Sequence, residues 1–269
     1  MEGAGLEGAW PGIVGYLFPA LVTLPLTLIG WRHVGASWRS LLGVLVFCGT
    51  AFGLYGLAVI MTEVNRAILL FYLTPLWGTL IGLFFLGERL TVRRVVALLI
   101  GLAGLLIVLD IGIKLPWPRN IGDWMAVVSG ISWALGSTVM YRAEKLRIAD
   151  QLTAFFIGAV IVCLLMMVLF PAQLGAAPTI PALQASLPMI VILTIGMPVV
   201  LVLTIWPASM LPPGRVGILL MTEVLFGLAS AILVLGEVLG LRESIGAFMI
   251  LSAAALEVTA PQPASKAVA

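Results

Sequence analysis

Long apolar runs separated by short polar or glycine- and proline-rich breaks set the pattern of this chain. A helix needs about twenty apolar residues to cross roughly 30 Å of hydrocarbon at 1.5 Å per residue. Runs of that length predict nine membrane spans, at 10–30, 38–60, 66–86, 92–110, 122–141, 152–170, 187–207, 215–235 and 242–259. The linkers between them, such as Asp110 to Arg119 and Pro171 to Pro188, are too short to hold a soluble domain. The expected architecture is therefore a single all-α polytopic membrane domain.

One polar and apolar pattern is written twice. Residues 66–93 and 215–242, 149 positions apart, agree at Arg66/Arg215, Leu70/Leu219, Leu76/Leu225, Gly78/Gly227, Leu86/Leu235, Gly87/Gly236, Glu88/Glu237, Leu90/Leu239 and Arg93/Arg242. Duplicated membrane units are a common construction in secondary transporters, with substrate bound between the two copies. Pairing the halves matches spans one to four with spans six to nine and leaves the fifth, 122–141, without a counterpart. Its partner would precede residue 10, so the sequence is expected to begin one span late, with five plus five spans in a complete chain. An odd number of spans per unit makes the two halves inverted in the membrane.

Composition agrees with this class: 62% of the 269 residues are hydrophobic and only 10% are charged, too few charges to cover a water-soluble surface. Glu2 and Glu7 stand where a secretory signal would carry positive charge. A net charge of +2 says little about partners, and no nucleic-acid partner is expected. Its distribution says more. On alternate sides of the membrane the linkers hold ten and four of the Lys and Arg residues, and the basic side is expected to be cytoplasmic. That places the C-terminus inside and the N-terminus outside. Cys48 and Cys163 lie within spans and predict no disulfide. With a lone histidine, His33, in a basic linker, no metal site and no cofactor are expected.

A span with an inner proline, Pro75, followed by Leu86-Gly87-Glu88-Arg89-Leu90 and a basic helix from Arg93 to Leu109 containing Gly101 and Gly104, resembles the EamA domain of the drug/metabolite transporter superfamily. The second copy keeps Leu235-Gly236-Glu237 and departs at Val224, where the first has Pro75. The resemblance covers about residues 38–259, and the first span fits the second helix of that fold. It implies a first repeat over 1–114 that lacks its first span, a second over 115–260, and a polar tail over 261–269. It also implies a secondary-active, alternating-access carrier for a small metabolite, amino acid or drug-like compound in the plasma membrane, the inner membrane of a bacterium. It is nearly silent on substrate.

Polar groups in hydrocarbon are the natural candidates for the site, because a charge near the bilayer centre costs several kcal/mol. Glu223 lies about 3 Å from the midpoint of its span by the helical rise, and reads either as a proton- or cation-binding group or as an acid hydrogen-bonded to a neighbouring helix. Its aligned position is Thr74. Tyr72 and Trp77 near the same depth, and Trp133, Ser137 and Thr138 on the fifth span, are candidates to line the cavity, with Tyr55 and Trp206 in a weaker tier. Packing or interface anchoring is the alternative for each. Pro198 and Pro207 break or, preferably, simply kink the seventh span. Arg66 and Arg215 read as gates or, preferably, as helix-end anchors, with Glu63 as a neighbour for Arg66. Glu88 and Glu237 are expected to tie down the following helix. Gly78 and Gly82, matched by Gly227 and Ala231, form small-residue faces for close contact between the repeats, with homodimerisation as the alternative.

An enzyme is disfavoured. Asp110, Asp123 and Asp150 stand apart at span ends, and no metalloprotease, serine-hydrolase or P-loop motif occurs. A scaffold, a receptor-like protein or a subunit fragment is the other alternative.

Overall fold

The computed structural model describes residues 5–88, 90–110, 117–143, 146–175, 177–230, 233 and 240–259, apart from the side chains of Trp31 and Ala36. Every regular element among the described residues is helical. The chain begins with α1 (Trp10–Ile29). The second span comprises α2 (Trp31–Gly43), a π-helical stretch Val44–Cys48, and α3 (Gly49–Met61). Then come α4 (Val64–Phe71), α5 (Thr74–Phe85) and α6 (Val92–Val108). The second half holds α7 (Ile121–Arg142), α8 (Ile148–Leu169), the single turn α9 (Pro171–Leu174), α10 (Ile180–Met210), α11 (Pro213–Leu220), α12 (Glu223–Ser230) and α13 (Leu241–Val258).

Among the described residues six stretches are long and apolar enough to cross a membrane: Trp10–Ile29, Ser37–Met61, Val64–Phe85, Ile148–Leu169, Ile180–Met210 and Pro213–Ser230. The other three predicted spans also appear as helices, α6, α7 and α13. α7 is more polar, and fourteen of its 22 residues are buried. Its hydroxyls bond inside the helix: Ser129, Ser137 and Thr138 donate to Ala126 and Ala134 carbonyls. Such a helix fits the middle of a bundle, where protein rather than lipid surrounds it.

Close helix approach rests on glycine, as expected where lipid removes the hydrophobic drive between helices. A Cβ on Gly104 of α6 would lie 2.8 Å from the Gly246 carbonyl of α13, and one on Gly246 would lie 2.7 Å from the Gly104 carbonyl. On the other side of the bundle, α3, α7 and α8 converge on the π-helical stretch. There a Cβ on Gly158 would run into the Leu45 carbonyl, and one on Gly136 into the Cys48 sulfur. An aromatic group fills the space above: Phe52 meets Trp133 with ring centroids 5.4 Å apart and Phe155 at 4.7 Å.

Of the two readings of Pro198 and Pro207, the break is excluded. The seventh span is an unbroken 31-residue helix, α10, that runs through Pro198 and Pro207. Part of the carbonyl ladder along it is taken up by side chains, with Thr194 donating to Ile190 O and Ser209 to Ile205 O. The breaks fall instead in the third and eighth spans, at residues 72–73 and 221–222, which are 149 positions apart and so equivalent in the repeat. In the first copy Pro75 has no N–H for the Phe71 carbonyl, which accepts from the Thr74 hydroxyl instead. In the second, with Val224 in place of proline, the Thr222 hydroxyl donates to Leu219 O at 2.7 Å.

Candidate functional site

Both breaks leave a helix C-terminus and a helix N-terminus facing one another inside the membrane domain. Interrupted helices of this kind expose backbone groups and oriented partial charges where a cavity can use them. Thr74 and Glu223 occupy the first positions of α5 and α12. They are repeat-equivalent, so the two copies bring unlike groups to like places.

The two breaks touch. Tyr72, in the first break, donates its hydroxyl to Glu223 Oε2 at 3.3 Å across 151 residues of sequence. Tyr55 of α3 stands within electrostatic reach of both, and its ring lies 4.6 Å from Phe71, which in turn lies 5.3 Å from Tyr72. A single carboxylate is thus set against tyrosines, and no basic side chain pairs with it among the described residues. Thr74 is buried at the same level, 3.4 Å from the Gly130 carbonyl of α7. A Cβ on Gly130 would come within 2.8 Å of the Phe71 carbonyl, so glycine lets α7 close over the first break.

The other candidates separate by direction. Trp77 is half-buried one turn beyond the first break, with its indole nitrogen buried. Trp133 is fully buried in the aromatic group around Phe52, and Ser137 is buried with its hydroxyl on Ala134 O. Those two side chains pack inside the bundle rather than joining Tyr72 and Glu223. Thr138 lines a separate cavity near the end of α7. Trp206 lines another, of about 280 Å³, together with Gln151 and Ser209.

The small-residue faces are unequal. Gly78 packs against the start of α11, where a Cβ would lie 2.8 Å from the Pro213 carbonyl. Gly82 faces the Glu88 carboxylate of its own repeat. Gly227 has open space around it among the described residues, against the expected match with Gly78, and none of α12 is buried. Ala231 and Glu237 lie outside the described residues.

The paired arginines close each span with an ion pair. Arg66 binds Asp123 of α7, Nη2 to Oδ2 at 2.5 Å, and donates to Trp117 O at 3.0 Å. Asp123 also accepts from the Thr62 hydroxyl at 2.7 Å and from Arg119 N at 2.9 Å. At the opposite end Arg215 meets Glu257 at 3.0 Å, Arg94 reaches the same carboxylate at 3.5 Å, and Arg94 also pairs with Glu88. Glu88 ties down α6 as expected, following Gly87, whose φ of +63° only glycine adopts freely. The aspartates are less isolated than their sequence positions suggest. Asp123 is held by Arg66, which also has Glu63 within electrostatic reach, and Asp110 pairs with Arg242. Asp150 is buried in the first turn of α8, where the helix dipole favours an acid. Among the described residues no group of His, Cys, Asp and Glu could hold a metal ion.

Comparison with known proteins supplies the family. A solved crystal structure of another protein superimposes with a TM-score of 0.69 at 20% identity, covering 94% of this chain and 88% of that one; at that identity the likeness shows the fold. An uncharacterised transporter of Archaeoglobus fulgidus is 33% identical over 141 residues, 52% of this chain and 49% of that protein. The chain therefore spans about half the length of the curated relative it matches. The EamA-like transporter family matches residues 9–110 and again 120–259, one match on each side of the linker before α7. With both halves matched and an all-α polytopic fold, the chain belongs to the EamA-like transporter family as a multi-pass membrane protein.

Proposed function

We propose that this transporter is a secondary-active, alternating-access carrier in the plasma membrane, and that it binds a small metabolite, amino acid or drug-like compound between the repeats at the level of the two helix breaks. The observation that carries this reading is the Tyr72–Glu223 hydrogen bond, which joins the breaks of both repeats at one point. A group shared by two inverted halves feels any rocking of one against the other. Glu223 is the coupling group in this reading. A carboxylate at membrane depth without a basic partner needs a proton or a cation, and exchange of one for the other links substrate movement to a proton gradient.

Replacing Glu223 by Gln removes the exchangeable charge and keeps the side chain's size. Counterflow in proteoliposomes should show saturable flux whose rate depends on pH in the natural protein and does not in the variant. A variant that transports with an unchanged pH profile would remove Glu223 from the coupling step. Absence of saturable flux in both well-folded proteins across amino acids, nucleosides and organic cations would favour a scaffold or receptor-like role.

A further inference from the structure

The second half of the third span leads from its break to another site. A cavity of about 360 Å³ opens between the second half of α2 with the π-helical stretch and the C-terminal ends of α5 and α7. Ile81 of α5 and Thr138 of α7, both in its wall, lie about 10 and 12 Å along their helices from Thr74 and Gly130. The cavity thus continues the α5–α7 groove that starts at the first break.

Its charge is one-sided. Arg39 of α2 and Arg142 of α7 enter the lining from different helices, with Ser40 next to Arg39 and no carboxylate in the wall among the described residues. Arg66, Arg94, Arg215 and Arg242 are all paired with carboxylates. Neither lining arginine is so paired among the described residues. Arg142 donates to the Phe85 carbonyl at 2.8 Å, which holds its guanidinium at the C-terminal end of α5. Arg39 lies over the Trp38 ring, 5.5 Å from its centroid. Below these heads the wall turns apolar, with Phe47 and Phe85. A basic rim over an apolar wall matches a molecule that carries an anion at one end and hydrocarbon at the other.

We propose that this cavity binds an amphipathic organic anion, with a phosphate or carboxylate held between Arg39 and Arg142 and its apolar part against Phe47 and Phe85. Two sources supply that chemistry, an acidic phospholipid of the adjoining leaflet and a water-borne solute. Only a solute's onward passage to Tyr72 and Glu223 rests on the carrier mechanism proposed above; anion binding does not.

The test is calorimetric titration of the purified full chain in neutral detergent with octyl phosphate. Saturable binding is expected, weakened at least about tenfold in Arg39→Gln and in Arg142→Gln, the loss of one charge-assisted contact. Octyltrimethylammonium is expected not to saturate. Arg39→Gln leaves the bond to Phe85 intact, so it decides the matter if Arg142→Gln misfolds. Equal affinity in the natural protein and in Arg39→Gln, or equal binding of the ammonium probe, would overturn the site. Repeating the titration in phosphatidylcholine nanodiscs with and without phosphatidylglycerol, and against glucose 6-phosphate, separates the sources. Loss of the octyl phosphate signal to phosphatidylglycerol assigns a lipid headgroup, and loss to glucose 6-phosphate assigns a solute; either supports the site. Because the readout is binding, a failure here is distinct from a failure of transport.

Discussion

The third and eighth spans are copies that break at the same place and then part company. α4–α5 is clasped: α7 closes over its break through Gly130, and Gly78 beds α5 on the start of α11. α11 is buried for most of its length, whereas α12 has no buried residue and Gly227 meets nothing among the described residues. Chemistry diverges with packing. The clasped copy offers Thr74 and Pro75, and the open copy offers Glu223 and Val224. The repeat thus preserves a backbone event, the interrupted helix, while the side chains specialise. One half makes a rigid floor and the other brings the ionisable group.

The largest expected effect separates the two glycines. Gly78→Leu drives a side chain into the Pro213 backbone and should cost about 3 kcal/mol or more, seen as lost expression or a large fall in Tm in detergent. Gly227→Leu should stay within about 0.5 kcal/mol, as at an open site. Equal damage from both would mean that α12 packs as α5 does, and the asymmetry would disappear.

Next comes the anchor of the clasped copy. Asp123→Ala strands the Arg66 guanidinium and two further donors, the Thr62 hydroxyl and Arg119 N, at a carboxylate that is fully buried, a loss of about 3–5 kcal/mol for a broken buried pair. Thermal unfolding in detergent measures it. A change below about 1 kcal/mol, the range of an exposed pair, would show that this end of the bundle is wet and loosely held.

The smallest effect sharpens the link between the copies. Tyr72→Phe removes one hydrogen bond to Glu223 and should cost about 1–2 kcal/mol, read as a several-fold rise in substrate KM with the Tm nearly unchanged. An unaltered KM and pH profile would place the carboxylate's working position away from Tyr72.

Much of the molecule was legible in the order of residues. All nine apolar runs appear as helices among the described residues, and six of those are long and apolar enough to cross a membrane, since hydrocarbon thickness sets the length a span needs. The resemblance carried by Leu86, Gly87, Glu88 and the second copy led to the family that both halves match. Tyr72, Thr74 and Glu223 could be singled out as polar groups at mid-depth. Position along a helix gives depth, however, and not direction around the bundle. Hence Trp133 and Ser137, at a suitable depth on α7, turn into packing, while Tyr72 meets Glu223. The breaks themselves were signalled only weakly, by Thr74-Pro75, and in the second copy by no proline at all.

Sequence by itself determined the class, the number of apolar spans, the internal repeat and the family, since each depends on local hydropathy or on direct residue matching. Tertiary structure alone decided which charges meet. Arg66 with Asp123, Arg94 and Arg215 with Glu257, and Tyr72 with Glu223 are joined across 42 to 163 residues of chain. Their energies depend on distances of a few ångströms that no linear pattern encodes. The clasped and open copies differ for the same reason: one glycine found a neighbour's backbone and its equivalent did not.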